Sequence, residues 1–435
     1  MPIGANLACA LRYLRHPDRS RTLWIDAICI DQSLNEEKNA QVKRMAQMYS
    51  YAHRVIIWLG KEQDESTHAL TTLKYFGEQV EYTADECIGD SPGALEPTWW
   101  DAERRLPYDA ATWSSLVSLF SRPWFSRVWV LQEALLANQR ALVQCGDYSI
   151  PWSILRKAMV VLAEKVGLPA ELFATLGSYR TGLLTKSTWN LPRLLLWGRF
   201  RKCTDDRDKI YGMLSLVSPA VAMNISVDYN MSAGEVYRDA LLAHAELTKR
   251  LELLRHCQLE HRCTGGPSWV PNFAAERGRF FGFRKGHTRQ ASGHSAAQIR
   301  RPSPNVLEAT GVSCATVTSA RKVPAGDLNG AFQATQQWKP DGLWTGGYVT
   351  GGSTFDGFLE VIAKGRLRDR YPNIPPFPTM HGLRQGLSDA MRGNSSIDNA
   401  LDYFKEELKV DGTFFFETQE GYLGVSQSQP EEGAN

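Results

Sequence analysis

Two groups of residues have types and spacings that suit chemistry. The first is Arg127, Trp129, Gln132 and Glu133, inside SRPWFSRVWVLQEALLANQRALVQCG, Ser121 to Gly146. On a helix, Trp129 and Glu133 stand one turn apart and share a face, which sets one carboxylate beside one large aromatic wall. Such a wall raises a carboxyl pKa by desolvation and gives a flat ligand a stacking surface. A solvated Glu133 paired with Arg127 fits the same spacing, and the residues alone leave both roles open. The second group is Asp26, Asp31 and Gln32, in and just after the run Leu23 to Ile30. Ligands of open α/β sheets bind beyond the C-terminal ends of strands, where Asp31 and Gln32 are expected to lie. Asp26 interrupts an apolar run, so it needs a partner, and structural and pocket roles both remain open for it.

The elements that must position these groups are legible around them. Leu23–Ile30 is nearly continuous in apolar residues, the pattern of a strand covered on both faces. Arg54–Leu59 is a second run, rich in β-branched residues and closed by Gly60. Between them Asn35 is placed to cap a helix with Glu36 and Glu37 in its first turn and Val42, Met45, Tyr49 and Ala52 at helical spacing. Strand, helix and strand make a βαβ unit of a parallel sheet. Further on, a helix from about Phe125 to Ala137, with Pro123 at its entrance, leads to a short strand from Arg140 to Cys145.

Around this centre the chain divides into four expected parts. Residues 1–146 form the α/β domain, opened by an amphipathic helix over 6–16 and including helices near His68–Tyr82 and 112–120. A Trp99–Trp100 pair is expected to dock on its core. Residues 147–264 read as mainly helical. Within them Asp205, Asp206 and Asp208 fit the N-terminal cap and dipole partners of a helix better than metal ligands. Residues 265–425 read as a β-rich mixed region, with short strands near Val306–Val312 and Ala315–Val317, a loop over Gly342–Gly357, and a hairpin in FFFETQEGYLGV turning at Glu420–Gly421. Residues 426–435 read as a disordered tail.

Composition narrows the function classes. The chain has 435 residues, 43% hydrophobic and 22% charged, with a net charge of +2, values ordinary for a soluble globular protein that point to neither nucleic acid nor membrane. Eight scattered cysteines lack a CxxC pair or a disulfide framework, and the N-terminus lacks a long apolar core, so a cytoplasmic or nuclear protein with no membrane span is expected, cytoplasmic being the reading adopted. His256, Cys257, His261 and Cys263 have zinc-binding types but not a recognised zinc spacing. The basic and aromatic run Arg277–Arg289 fits a solvated loop better than a nucleic-acid surface. Walker, GxSxG and HExxH motifs are absent, and nothing calls for a metal or resident cofactor.

Taken together, LWIDAICIDQ, the helix with Met45 and Tyr49, AHRVIIWLG and RPWFSRVWVLQEALLA resemble the fungal heterokaryon-incompatibility (HET) domain. RDKIYGMLSL, the Asp228–Tyr229 pair, PSWVPNF and the late GYLG resemble the region downstream of that domain in large members of the family. The resemblance implies a role in fungal nonself recognition, where contact between incompatible cells triggers programmed cell death. It also implies a distant likeness to Toll/interleukin-1 receptor (TIR) domains, and with it a flavodoxin-like parallel sheet. In TIR enzymes that cleave NAD, the catalytic glutamate comes one helical turn after a Trp, as Glu133 does after Trp129. By that likeness Glu133 would be catalytic, Trp129 would shape the pocket, and NAD would be a substrate rather than a cofactor. The alternative it implies is a non-catalytic module that self-associates or meets another incompatibility protein. The family normally opens with a strand whose motif would lie just upstream of Met1, and relatives continue beyond the C-terminal EEGAN. The sheet is therefore expected to lack its first strand, and a truncated, inactive paralogue is the third alternative.

Overall fold

The computed structural model describes residues 3–82, 88–172, 175–176, 190–257, 262–263, 266–275, 295–322, 332–333, 336–362, 380–393, 414–426, 429–431 and 433. The run Arg277–Arg289 and His261 lie outside the described residues, as does much of the tail. The chain is mixed α/β, with small sheets and helical regions. It divides into two compact units, Met1–His256 with 263–266 and 270–274, and the remainder to Asn435.

In the first unit α1 (Ala5–Leu14) leads to a segment that departs from expectation. Leu23–Ile30 is not a strand. It turns into a single helical turn, α2 (Asp26–Cys29), because the Asp26 carboxylate accepts the Ala27 N–H at 2.7 Å and holds the backbone in a local turn. Trp24 and Ile28 keep 39% and 41% of their surface exposed, so the apolar run is not sandwiched between layers. The next helix along the chain is broken into α3 (Asn35–Val42) and α4 (Met45–Tyr51). Asn35 lies inside the first turn rather than at the cap, which is Leu34, and its amide reaches away to the 229–230 backbone and side chain.

The second apolar run does form a strand, but the expected βαβ unit with residues 23–30 is absent and its parallel partner comes from much further along the chain. β1 (Ile56–Trp58) is separated by a small antiparallel pair, β2 (Val80–Tyr82) with β3 (Ile88–Asp90), from its partner β4 (Leu142–Cys145). β1 and β4 run parallel, Ile57 opposite Val143, and β4 pairs antiparallel with β5 (Tyr148–Pro151). Gly146, at φ +55°, permits the tight β4–β5 turn. Helices α5 (Ser66–Gln79), α6 (Ala110–Phe120) and α8 (Trp152–Leu162) pack on the sheet around buried Leu70, Leu73, Phe76, Leu116, Leu119, Val143, Ile150 and Leu155. Trp99 is in that core and Trp100 packs against it. Arg122 is buried and spends its donors on the loop after β1: Leu59 O, Lys61 O and Gln63 O at 3.0–3.1 Å, and the Cys145 Sγ at 2.9 Å.

The expected helix from Phe125 starts instead as a 3₁₀ turn, Pro123–Ser126, with Pro123 at its first position. Arg127 is extended, and α7 (Val130–Leu136) begins only after Trp129. The second half of the unit is helical, its longest described helix being Ala233–Thr248, closed by a capping box between Ser232 and Glu235.

The second unit contains the hairpin β6 (Ile299–Ser303) and β7 (Val306–Ala309), and a three-stranded sheet of β8 (Val317–Lys322), β9 (Phe414–Thr418) and β10 (Leu423–Ser426). The β9–β10 turn uses Gly421 at φ +87°, as the sequence required. A helix at Thr354–Ile362 occupies the end of the expected 342–357 loop, burying Phe355, Phe358 and Leu359 under Trp338 and Phe415.

Candidate functional site

A cavity of about 1070 Å³ opens in the first unit between five chain segments. One wall is Asp26, Ala27, Ile30 and Gln32. The second is Lys38 and Val42 of α3 with Met45 of α4, the third Arg127 and Trp129. The last two are Lys202–Asp208 and Tyr229–Ala233. Its size is at the upper end for small-ligand sites and accommodates a dinucleotide-sized molecule.

Four of the seven residues singled out by sequence, Asp26, Gln32, Arg127 and Trp129, line this one cavity, whereas Gln132 is buried and donates its amide N–H groups to Tyr211 O and Gly212 O. Asp31 does not. It turns back on its own loop, accepting the Ser33 hydroxyl at 2.6 Å and the Ser33 N–H at 2.9 Å, and the hydroxyl bond holds its carboxyl below the usual pKa. Glu133 also does not line the cavity, but its carboxyl is electrostatically coupled to Asp26 and Arg127, which do. Burial pushes the Glu133 carboxyl up from its ordinary range, opposed by an indole hydrogen bond and the Arg127 charge. Tyr49 belongs to the same group, its hydroxyl raised first by burial and then by the charges of Glu133 and Asp26.

The indole that holds Glu133 belongs to Trp124, whose Nε1 donates to Oε2 at 2.9 Å. Trp129, the expected neighbour, turns the other way and donates its Nε1–H to Asp208 Oδ2 at 2.9 Å. The other Asp208 oxygen accepts the Tyr229 hydroxyl at 2.6 Å. Burial raises the Asp208 carboxyl, while these two donors pull it back. Asp208 begins a one-turn helix, Asp208–Tyr211, as its place in the sequence led one to expect, but its side chain faces the cavity network.

Asp205 is clamped by Arg207, Nε to Oδ1 at 2.8 Å and Nη2 to Oδ2 at 2.7 Å, a bidentate pair. Burial works to lift the Asp205 carboxyl, yet the Arg207 hydrogen bonds keep it below its ordinary value. The same guanidinium donates to Tyr229 O and to Met231 O. From the opposite wall Asn39 accepts the Tyr229 N–H at 2.8 Å, and the Lys38 ammonium sits 3.8 Å over the Tyr229 ring. Among the described residues no group of three or more His, Cys, Asp or Glu is arranged to hold a metal. Nor is any described helix long and apolar enough to cross a membrane.

Lys202, Asp208 and Tyr229 were missed as site residues because nothing local to Trp129 announces them. The only available signal was that RDKIYG and Asp228–Tyr229 stood out as family-like segments.

The sequence model of the heterokaryon incompatibility protein (HET) family matches residues 1–133. The chain is 28% identical over 384 residues to "Heterokaryon incompatibility protein 6, OR allele" of Neurospora crassa, an alignment covering 72% of this chain and 55% of that protein. The chain thus spans about half the length of the curated relative it matches. No solved structure matches it. The matched segment carries α2, α3, Arg127, Trp129 and Glu133, and so contributes three of the cavity's five walls: over residues 1–133 this chain is similar to the HET domain.

Proposed function

We propose that this chain acts in fungal nonself recognition, coupling recognition to cell death, and that its cavity binds a nucleotide such as NAD. The observation that carries the ligand reading is the convergence of Asp26, Gln32, Arg127 and Trp129 on one dinucleotide-sized cavity, with the partly buried Glu133 carboxyl coupled electrostatically to Asp26 and Arg127. In the catalytic form of the proposal the nicotinamide leaves with the bonding electron pair. Glu133 stabilises the oxocarbenium ion left on the ribose, and water adds to that carbon and gives up a proton. The parallel β1–β4 pair supports a distant kinship with the flavodoxin-like sheet of TIR domains. Expression in a fungal host with measurement of NAD and viability tests the catalytic form. NAD should fall with the wild-type chain and not with Glu133→Gln, and cell death at unchanged NAD would sink it.

One observation favours a second, non-catalytic form: the Glu133 carboxylate is occupied by Trp124 and is not part of the cavity lining. In that form the domain signals by self-association or by meeting another incompatibility protein. Glu133→Gln then leaves killing intact, while reversal of the exposed Lys43 and Arg44 charges between α3 and α4 abolishes it.

A further inference from the structure

We infer that Arg127 and Lys202 form an anion subsite of the cavity that takes the phosphate or diphosphate of a small phosphorylated ligand. This deepens the ligand-binding reading above and rests on it.

The two cations are brought together by backbone. Arg127 and Lys202 face each other in a parallel bridge, fastened by Val128 N–H to Lys202 O at 2.9 Å and Lys202 N–H to Ser126 O at 2.6 Å. Partners in such a bridge carry their side chains to the same face, and here both line the cavity. Both are exposed, and neither has a side-chain hydrogen bond or ion pair among the described residues, although the Arg127 charge is felt by Glu133. The other cations of the cavity are engaged: Arg207 holds Asp205, and Lys38 sits on the Tyr229 ring. Two like charges fixed opposite one another repel, and an anion placed between them removes that repulsion. Arg127 supplies a planar fork and Lys202 a point charge, the combination that suits phosphate oxygens. Trp129, two residues beyond Arg127, has its indole fixed by Asp208 and offers a flat wall next to the subsite. Asp26 and Asp206 share the cavity, which opposes an extended polyanion and favours a small molecule with one or two phosphates.

Titration calorimetry on the full chain tests this, with ADP-ribose, inorganic diphosphate, adenosine and a short single-stranded RNA as probes. ADP-ribose should bind, diphosphate should compete with it, and adenosine should bind at least about tenfold more weakly. Lys202→Ala and Arg127→Gln should each weaken ADP-ribose by about tenfold or more, with an unchanged unfolding midpoint because both side chains are exposed. Adenosine binding as tightly as ADP-ribose, unchanged affinity in Lys202→Ala, RNA binding without diphosphate binding, or no binding of any probe each overturns the subsite. The catalytic proposal fails separately. Wild type that binds ADP-ribose but leaves NAD intact sinks cleavage and keeps the subsite. NAD turned over equally by wild type and the Arg127→Gln/Lys202→Ala double variant sinks the subsite and leaves cleavage standing.

Discussion

The Trp129 indole N–H donates to the Asp208 carboxylate at 2.9 Å, joining the HET segment to a helix start 79 residues further along the chain. Asp208 also accepts the Tyr229 hydroxyl, so a single side chain orients both aromatic walls of the cavity. Asp208→Ala should leave two largely buried donors unsatisfied and destabilise the unit by about 2–4 kcal/mol. Urea unfolding with an unchanged m-value checks it, and a loss below roughly 0.5 kcal/mol, the scatter of ordinary surface substitutions, would show that the network carries no stability.

The Glu133 carboxyl is raised above its ordinary value of 4.5, chiefly by burial. A raised carboxyl pKa means that the folded state binds the proton more tightly than the unfolded chain. The resulting stability is fully present below the ordinary value and is lost as pH rises through the folded one. The difference in unfolding free energy between wild type and Glu133→Gln should therefore change across that window and flatten above it. Parallel pH profiles for the two proteins would contradict the buried state of Glu133.

Gly77 on α5 lies so close to α8 that a Cβ there would meet the Ile154 carbonyl oxygen at 2.4 Å and Ile154 Cγ2 at 2.9 Å. Alanine normally favours a helix over glycine by ~1 kcal/mol, but the clash is with backbone and cannot be relieved by a rotamer change. Gly77→Ala should be net destabilising by about 1–3 kcal/mol, read as a lowered thermal midpoint. A raised midpoint would mean that α5 and α8 are not packed at this distance.

Asn39 holds the 228–230 turn from α3, accepting from Tyr229 N–H at 2.8 Å and donating to Asp228 Oδ1 at 3.2 Å. Asn39→Leu should cost about 1–2 kcal/mol from the lost bonds. Asn39→Asp removes the donor and sets a second negative charge against Asp228, so its defect should shrink as salt is added, whereas that of Asn39→Leu should not. Equal salt dependence in the two variants would show that Asn39 and Asp228 do not meet.

Burial decides which parts of the fold were legible in the sequence. β1 and β4 were readable because Ile57, Val143 and Cys145 are buried, and burial is what an apolar β-branched run reports. The run at 23–30 has the same composition but leaves Trp24 and Ile28 exposed, and composition cannot separate those cases. Asp26, Gln32, Arg127 and Trp129, which line the cavity, were readable as a group because each sits in a locally distinctive segment. The roles of Trp124, Lys202, Asp208 and Tyr229 were not, since each depends on a partner supplied by tertiary packing. The single helix expected from Phe125 hid the extended Arg127, and with it the bridge to Lys202.

Because two of the cavity's walls, Lys202–Asp208 and Tyr229–Ala233, come from beyond the 1–133 match, the HET segment alone holds an incomplete site. Related chains that exchange residues 200–233 would rewrite those walls while leaving Glu133, Arg127 and Trp129 untouched. The shape and charge of the cavity can thus change through the downstream segment alone.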